Sequence, residues 1–185
     1  MSPRRFIFDA PDRFVAEALG KPGQRSFFLQ AAQGRRVVTV AIEKVQVAVL
    51  ADRLAELLAE VERRGIELPR GSDRMVTSGL DEPVIEAFRV GSMTLTWDGD
   101  AGAVVVEARE VTVEASAAED EDDEVATDAD DDLDLLRVQL TAPAARGFIA
   151  RAAQVIAAGR PPCPLCGQPL NAEGHICPRK NGYMH

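Results

Sequence analysis

The chain contains 185 residues, of which 46% are hydrophobic and 28% are charged. This composition excludes a fully disordered chain and a fibrous repeat, and the length suits one compact domain or two small halves that share a core. The formal net charge is -9, but eleven of the 30 acidic residues lie between residues 119 and 134, and the 21 Lys and Arg residues nearly balance the other 19. The negative charge therefore belongs to one segment rather than to the whole chain.

The sequence also indicates a cellular compartment. No segment approaches the roughly 20 apolar residues of a membrane-spanning helix, and residues 1–13 lack the apolar run of a secretory signal peptide. The three cysteines are an odd number, so they cannot form a complete disulfide framework. We therefore expect a cytoplasmic protein without membrane association.

Alternating apolar residues predict four short strands in the first 42 residues. Turn residues at 9–12, 20–23 and Gly34 separate the four runs, which favours an antiparallel meander. The apolar positions are Phe6, Phe8, Phe14, Ala16, Ala18, Phe27, Leu29, Ala31, Val38, Val40 and Ile42.

The apolar period then becomes helical. Steps of three and four predict a helix over residues 43–64, and Gly65 is a natural residue to end it. Its apolar stripe consists of Val47, Leu50, Leu54, Leu57, Leu58 and Val61.

Further strands and a second helix are predicted after an irregular connection. Alternation marks strands around Leu95, Val106 and Val138, with Trp97 on the core side of the first of them, and a second apolar stripe predicts a helix that ends at Gly159. The fold class is therefore α+β, with antiparallel β-meanders and two helices. We expect two β-meander-plus-helix halves, residues 1–80 and 81–159, followed by a small C-terminal zinc knuckle over residues 160–185.

The acidic segment within the second half is predicted to be a disordered loop over residues 116–134. Its carboxylates repel one another and offer little apolar surface to bury. The interpretations are a passive solubilising insertion or a docking site for a basic partner. A calcium site is not expected, because the segment lacks the ligand spacing of an EF-hand.

The C-terminal tail contains the residues with the clearest chemistry. Two residues separate Cys163 from Cys166, a spacing that lets a tight turn present both sulfurs to one metal ion. His175 and Cys177 follow, and residues at i and i+2 of an extended segment point to the same side. Three thiolates and one imidazole would complete a closed tetrahedral site for a structural Zn²⁺ ion. His185, the last residue of the sequence, is the alternative fourth ligand.

Two other interpretations of the tail stay open. Cys163 and Cys166 could form a redox pair, although the βαβ context of thioredoxin-like motifs is missing. The knuckle could also bind single-stranded nucleic acid, for which the sequence offers Arg160, Arg179, Lys180 and Tyr183.

The sequence assigns no catalytic residue. It contains neither a phosphate-binding Gly-rich loop nor a dinucleotide fingerprint, and a nucleophilic dyad or triad would need one of only two histidines. Arg25, Glu43 and Lys44 stand at predicted element ends, where a pocket could form. Carboxylates that could line a cleft, but are expected at outward or helix-start positions, are Glu17, Glu43, Glu86, Asp98 and Glu107.

Four segments resemble a known family: residues 11–15, 23–30 and 88–91, and the tail motif from Gly159 to Arg179 with its CPLCG and GHICPR sequences. Over essentially its whole length the chain resembles a family of uncharacterised actinobacterial proteins, and the tail motif is the most specific part. That family has no assigned activity. Its genes tend to accompany those of a histidine-phosphatase-like and a phosphatidylinositol-kinase-like protein, so the resemblance implies a partner role in a phosphate-linked process.

These observations favour a non-enzymatic zinc-binding protein, an interaction or adaptor module with an unidentified protein partner. The alternative is an enzyme or a binder of a small phosphate-containing ligand, with a pocket between the two halves. A third hypothesis is a weak nucleic-acid binder. The sequence leaves the oligomeric state open.

Overall fold

The computed structural model describes residues 2–71, 79–111, 132–159, 163–166 and 177. Within these ranges the chain forms strands and helices in the following order: β1 (Arg5–Phe8), β2 (Arg13–Leu19), β3 (Ser26–Gln33), β4 (Arg36–Ile42), α1 (Lys44–Arg63), β5 (Glu86–Asp98), β6 (Ala103–Glu110), β7 (Leu135–Leu140) and α2 (Ala142–Ala157). The prediction of an α+β fold with two helices is confirmed. No helix in these ranges has the length and apolar character needed to cross a bilayer.

The strands form one sheet in the order β1-β7-β6-β5-β4-β3-β2. Hairpins make four of the neighbouring pairs antiparallel, but β4 pairs with β5, and β1 with β7, in parallel. The prediction of a purely antiparallel sheet is therefore wrong, and the sheet is mixed. The first parallel pair arises because α1 carries the chain back to the starting end of the sheet before β5 begins. The second arises because β1 lies at the far edge beside β7 instead of joining the meander of β2 to β4.

The sheet curls strongly. Six strand spacings of about 4.8 Å would place the two edge strands of a flat sheet about 29 Å apart. β1 and β2 are these edges, yet the five Cα steps from Phe8 to Arg13 reach at most about 18 Å. Contacts across the curl agree: Arg36 at the start of β4 donates to the Ile7 carbonyl at 3.0 Å, and its guanidinium lies 4.7 Å from the Phe8 ring centre.

Helix α2 fills the concave side of the curled sheet. It packs against β2, β6, β7 and α1, and Ala145, Phe148 and Ala152 on it have no exposed surface. The Phe148 ring stacks on Phe14 of β2 with the ring centres 5.0 Å apart. Thr141 caps the N-terminus of α2 by accepting the backbone N–H of Ala144 at 3.3 Å. The helix is consequently fixed to the sheet along its buried face.

Helix α1 agrees with the sequence prediction to within one residue at each end. Glu43 forms a capping box with Gln46. Gly65 follows the last turn with a φ of 84°, a left-handed conformation that glycine adopts without strain. The buried residues of α1 include most of the predicted stripe: Val47, Leu50, Leu54, Leu58 and Val61.

The convex side of the sheet holds a buried polar cluster under residues 79–85. The Gln30 side chain of β3 is completely buried, and it accepts the Asp81 backbone N–H at 2.8 Å and donates to the Asp81 carbonyl at 3.2 Å. It also donates to the Thr39 hydroxyl at 2.9 Å and accepts from Arg13, which forms an ion pair with Asp81. Gln30 therefore uses all of its hydrogen-bonding capacity to fasten the segment that leads into β5.

The acidic segment lies mostly outside the described residues, so the predicted disordered loop over residues 116–134 is described only at its C-terminal end. There Asp134 is 7% exposed and accepts hydrogen bonds from both the backbone N–H and the side chain of Arg4. Burial, the largest influence, raises the pKa of Asp134, but the hydrogen bonds and the charge of Arg4 together hold it below its ordinary value. This acidic residue thus joins β1 to β7.

Candidate metal centre

Helix α2 is the last element before the cysteines in the sequence. Its buried face fixes it against the body, and Ala158 is its C-cap. Arg25 of the loop before β3 donates to the Val155 carbonyl in the last turn at 2.9 Å. A cation at this position satisfies a terminal carbonyl and interacts favourably with the helix dipole. Cys163 follows the C-cap by five residues.

The structure brings the three cysteines together. The sulfur atoms of Cys163, Cys166 and Cys177, hereafter the cysteine cluster, all lie within 4.8 Å of one another. Cys163 and Cys177 are each 6% exposed, and their sulfurs are 3.9 Å apart. Residues 164–166 form a turn, as the two-residue spacing predicts. Cys177 is distant in sequence from the turn that holds Cys163 and Cys166, so the cluster is a tertiary feature and not a consequence of the turn alone.

The surroundings of Cys163 favour the thiolate. The backbone N–H of Cys166 donates to the Cys163 sulfur and is the largest influence on its pKa, which it lowers; burial acts in the opposite direction. The N–H of Leu165 and the thiols of Cys166 and Cys177 lower it further, and the pKa of Cys163 lies below its ordinary value. Thiolates are the form in which cysteine binds metal. Peptide N–H groups aimed at a sulfur also orient it as a ligand.

The sulfur separation distinguishes between the possible states of the cluster. A disulfide would place two sulfurs about 2.05 Å apart. Tetrahedral Zn²⁺ with Zn–S bonds of about 2.3 Å separates its sulfur ligands by about 3.8 Å. The distance of 3.9 Å between Cys163 and Cys177 excludes a disulfide, and it fits two sulfur ligands of one metal ion as well as a hydrogen bond between two thiols. The cluster can therefore hold a metal ion with three ligands.

The remaining predicted residues of the tail lie outside the described residues. These are His175, His185, Arg160, Arg179, Lys180 and Tyr183. The fourth ligand of a tetrahedral site and the basic surface of a nucleic-acid interface therefore stay predictions.

Of the five carboxylates considered for catalysis, only Glu43 and Glu86 line a common pocket, a small one that also contains Arg25 and Arg89. Glu17 of β2 forms an ion pair with Arg151 of α2, and Glu107 of β6 lies 3.4 Å from Arg109. Asp98 accepts the backbone N–H groups of residues 100 and 101 in the β5–β6 turn. Glu86 is exposed at the start of β5. Glu17, Asp98 and Glu107 thus lie in different parts of the sheet. Trp97 is half-buried against the core, as predicted.

A small pocket joins two of the arginines in the segments that carried the family resemblance. Its volume is about 130 Å³, and it lies between β3, the start of α1 and β5. Arg25 and Arg89 line it, and Arg89 donates to Glu43 at 2.8 Å. The sequence had indicated Arg25 and Glu43 as element ends. The sequence did not indicate that Arg89 is their neighbour. The parallel pairing of β4 with β5 places Arg89 beside them, and this pairing is a long-range feature.

A protein-family model matches most of the chain. The model of a family described as DUF3090, protein of unknown function, matches residues 6–177. The match covers all seven strands except the first residue of β1, both helices and the three cysteines. No curated protein and no solved structure matches the chain.

Proposed function

We propose that this chain, which belongs to the DUF3090 family of proteins of unknown function, is a zinc-binding interaction module whose cysteine cluster holds a structural Zn²⁺ ion. The observation that carries the proposal is the sulfur separation of 3.9 Å between two buried cysteines of a three-cysteine cluster. Zinc is the metal that three thiolates and one imidazole in tetrahedral geometry bind most often in proteins.

A structural role is favoured over catalysis by the ligand set. Catalytic zinc sites keep one coordination position open for water or substrate. His175, two residues before Cys177 in the sequence, would fill that position as the fourth ligand. Such a closed site stabilises a short segment that is too poor in large apolar residues to fold alone.

Elemental mass spectrometry on untagged protein, purified without added zinc, tests the metal site. We expect about one zinc ion per chain and loss of that zinc in Cys177→Ser. The matched control is Leu165→Ala, because Leu165 lies in the same turn, is 49% exposed and offers no ligand atom. Metal-free wild-type protein with three freely titrating thiols would contradict the proposal.

A second pair of variants identifies the fourth ligand. We expect His175→Ala to lower zinc affinity and to alter the visible d–d spectrum of the cobalt(II)-substituted protein, since tetrahedral coordination sets those bands. His185→Ala should leave both unchanged. The reverse result would assign the alternative ligand named by the sequence.

The interaction role is tested by comparing partners quantitatively. Affinity purification with isotope-labelled mass spectrometry would use the wild type, Cys177→Ser and Leu165→Ala. A module that presents its partner surface around the zinc site loses that partner in Cys177→Ser. Partners that survive both this change and deletion of residues 160–185 would place the interaction surface elsewhere.

The alternative of a small anionic ligand has one observation in its favour, the pocket whose lining includes Arg25 and Arg89, although Glu43 and Glu86 line it too and Glu43 already pairs with Arg89. Its volume of about 130 Å³ suits a single phosphate-sized group rather than a nucleotide. Thermal shift with inorganic phosphate tests this reading, and Arg89→Ala should abolish any stabilisation. Nucleotides and sugar phosphates serve as larger probes of the same site.

A further inference from the structure

Strand β5 is an edge strand for half of its length. Its first residues pair with β4, at Glu86 and Arg89, and the register shifts beyond Thr39. From Ser92 to Asp98 it pairs with β6 on one side, and among the described residues no strand lies on the other side. Gly91 stands at the departure point, where a Cβ atom would come within 2.6 Å of the Val111 Cα. The second half of β5 therefore leaves β4 and continues the sheet of β6, β7 and β1 alone.

The unpaired edge of the second half of β5, hereafter the half-edge, lacks the features that keep sheet edges from pairing. Natural edge strands are short, or carry charges and prolines. Edge strand β1 has four residues, and edge strand β2 carries Arg13 and Glu17, both in ion pairs. Residues 91–97 of β5, in contrast, contain neither a charged residue nor a proline. Gln46 of α1 donates to the Gly91 carbonyl at 3.0 Å, which leaves residues 92–97 as an uncharged edge that can pair with another strand.

The sequence of the half-edge is complementary to itself. In an antiparallel pair centred on Leu95, this residue faces its own copy, Met93 faces Trp97 of the second copy, and Thr94 faces Thr96. Apolar side chains meet apolar ones on the concave side, and threonines meet threonines on the convex side. In this pairing no two charged residues face each other.

The surface beside the half-edge is also apolar. A groove of about 770 Å³ lies between α1 and the concave side of β5, with Met93 and Leu95 on its β5 wall. On the α1 wall Val45 is 72% exposed and Val49 is 48% exposed. The charged residues on that wall, Arg53, Glu56, Glu60 and Arg63, already form ion pairs with one another. The groove therefore presents no uncompensated charge to a neighbour.

We propose that the second halves of two β5 strands pair antiparallel around a twofold axis at Leu95, so that the protein is a homodimer. The four strands β1, β7, β6 and β5 of each copy then form one continuous eight-stranded sheet. Stable dimers bury about 800 Å² on each partner, which a strand edge alone does not supply. Val45 and Val49 of each copy contribute the remaining apolar area. The proposal is independent of the metal site.

The test is the oligomeric state of the zinc-loaded full chain by analytical ultracentrifugation, from about 1 µM to about 300 µM. We expect a dimer. Thr94→Lys combined with Thr96→Lys should weaken it roughly tenfold or more, because each lysine faces a lysine of the other copy. Both threonines are exposed, so the fold tolerates the change. The matched control is Gln24→Lys with Gln33→Lys, which adds the same charge at exposed positions away from β5.

Two further readouts locate the interface. Trp97 is the single tryptophan of the chain, and its emission should change on dilution if it packs against the second copy. Those amide hydrogens between Ser92 and Asp98 that point away from β6 should exchange faster in the dilute protein. A chain that is monomeric throughout the range, or a dimer that the two lysines leave intact, overturns the proposal. Protection of the outward-pointing amides in a monomer also overturns it, since another part of the same chain would then cover the edge.

Discussion

In the body of the protein, from β1 to α2, helix α2 buries Phe148 and two alanines completely against the sheet. At the end of the same helix, the cysteine cluster buries two small side chains, Cys163 and Cys177. The body therefore obtains its stability from apolar area removed from water. The cluster has too little apolar area for that, and under the proposed function its order comes from bonds to a metal ion. One chain thus contains two regions whose stabilities respond to different treatments.

The largest effect on the body is expected from Phe148→Ala. This change removes a fully buried ring that stacks on Phe14, and it should lower the free energy of unfolding by about 3–5 kcal/mol. Urea denaturation followed by circular dichroism measures the loss. Phe148→Leu, which keeps most of the volume, should cost less, and zinc content of the folded protein should stay unchanged in both variants.

The polar cluster under residues 79–85 offers a second test of the body. Gln30→Ala leaves the backbone groups of Asp81 and the Thr39 hydroxyl without the partner that they have in the wild type. Unsatisfied buried groups of this kind cost about 1–3 kcal/mol in the free energy of unfolding. Gln33→Ala on the same strand is the control, because Gln33 is exposed. Equal effects of the two changes would contradict the importance of the buried amide.

The Arg4–Asp134 pair predicts a pH-dependent contribution to the stability of the body. Since the folded-state pKa of Asp134 lies below its ordinary value, the carboxylate stabilises the fold above its unfolded-state pKa of about 3.9, and this stability is lost as the pH falls through the folded-state pKa. Asp134→Asn should therefore lower the free energy of unfolding by about 1–2 kcal/mol at pH 7.

Urea denaturation at a series of pH values measures this contribution. The difference between wild type and Asp134→Asn should shrink below about pH 4. Asp132→Asn, at an exposed position of the same segment, is the control, because it removes the same charge and leaves the Arg4–Asp134 pair in place. A difference that persists unchanged in acid would mean that the Arg4 pair does not supply it.

Removal of the metal should have the smallest effect on the body. We expect a chelator to change its free energy of unfolding by less than about 0.5 kcal/mol, while the tail becomes sensitive to proteases. Limited proteolysis and thermal denaturation of the same samples separate the two responses. A large drop in the unfolding temperature would show instead that the cluster and the core of the body unfold as one unit.

The sequence predicted the local features of both regions well. The apolar stripe of α1 is a periodic pattern within one helix, and the spacing between Cys163 and Cys166 is a pattern within one turn. Both appear in the structure. The neighbours of each strand could not be predicted in the same way. Alternation at Phe6 and Phe8 identifies the apolar face of β1, but it contains no information on whether β2 or β7 lies beside it.

The burial of Gln30 and of Asp134 could not be predicted from the sequence either, because distant segments of the chain cover these residues in the fold. Gln30 occupies a position on the polar side of β3, where alternation predicts exposure, and its complete burial depends on residues 79–85 crossing that side. Asp134 belongs in the sequence to an acidic run, yet Arg4 makes it a buried residue of the fold. In both cases the partner is distant in sequence, at separations of 51 and 130 residues.

The parallel pairing of β1 with β7 has a consequence for the synthesis of the protein. The ribosome makes Arg4 130 residues before Asp134, and at about 5–20 residues per second this interval lasts roughly 7–26 s. During that time the strand Arg5–Phe8 has no neighbour to pair with, although β2 to β4 can already form their hairpins. The first strand to leave the ribosome thus waits for the last strand to be made, and only α2 and the cysteines follow that strand in the sequence.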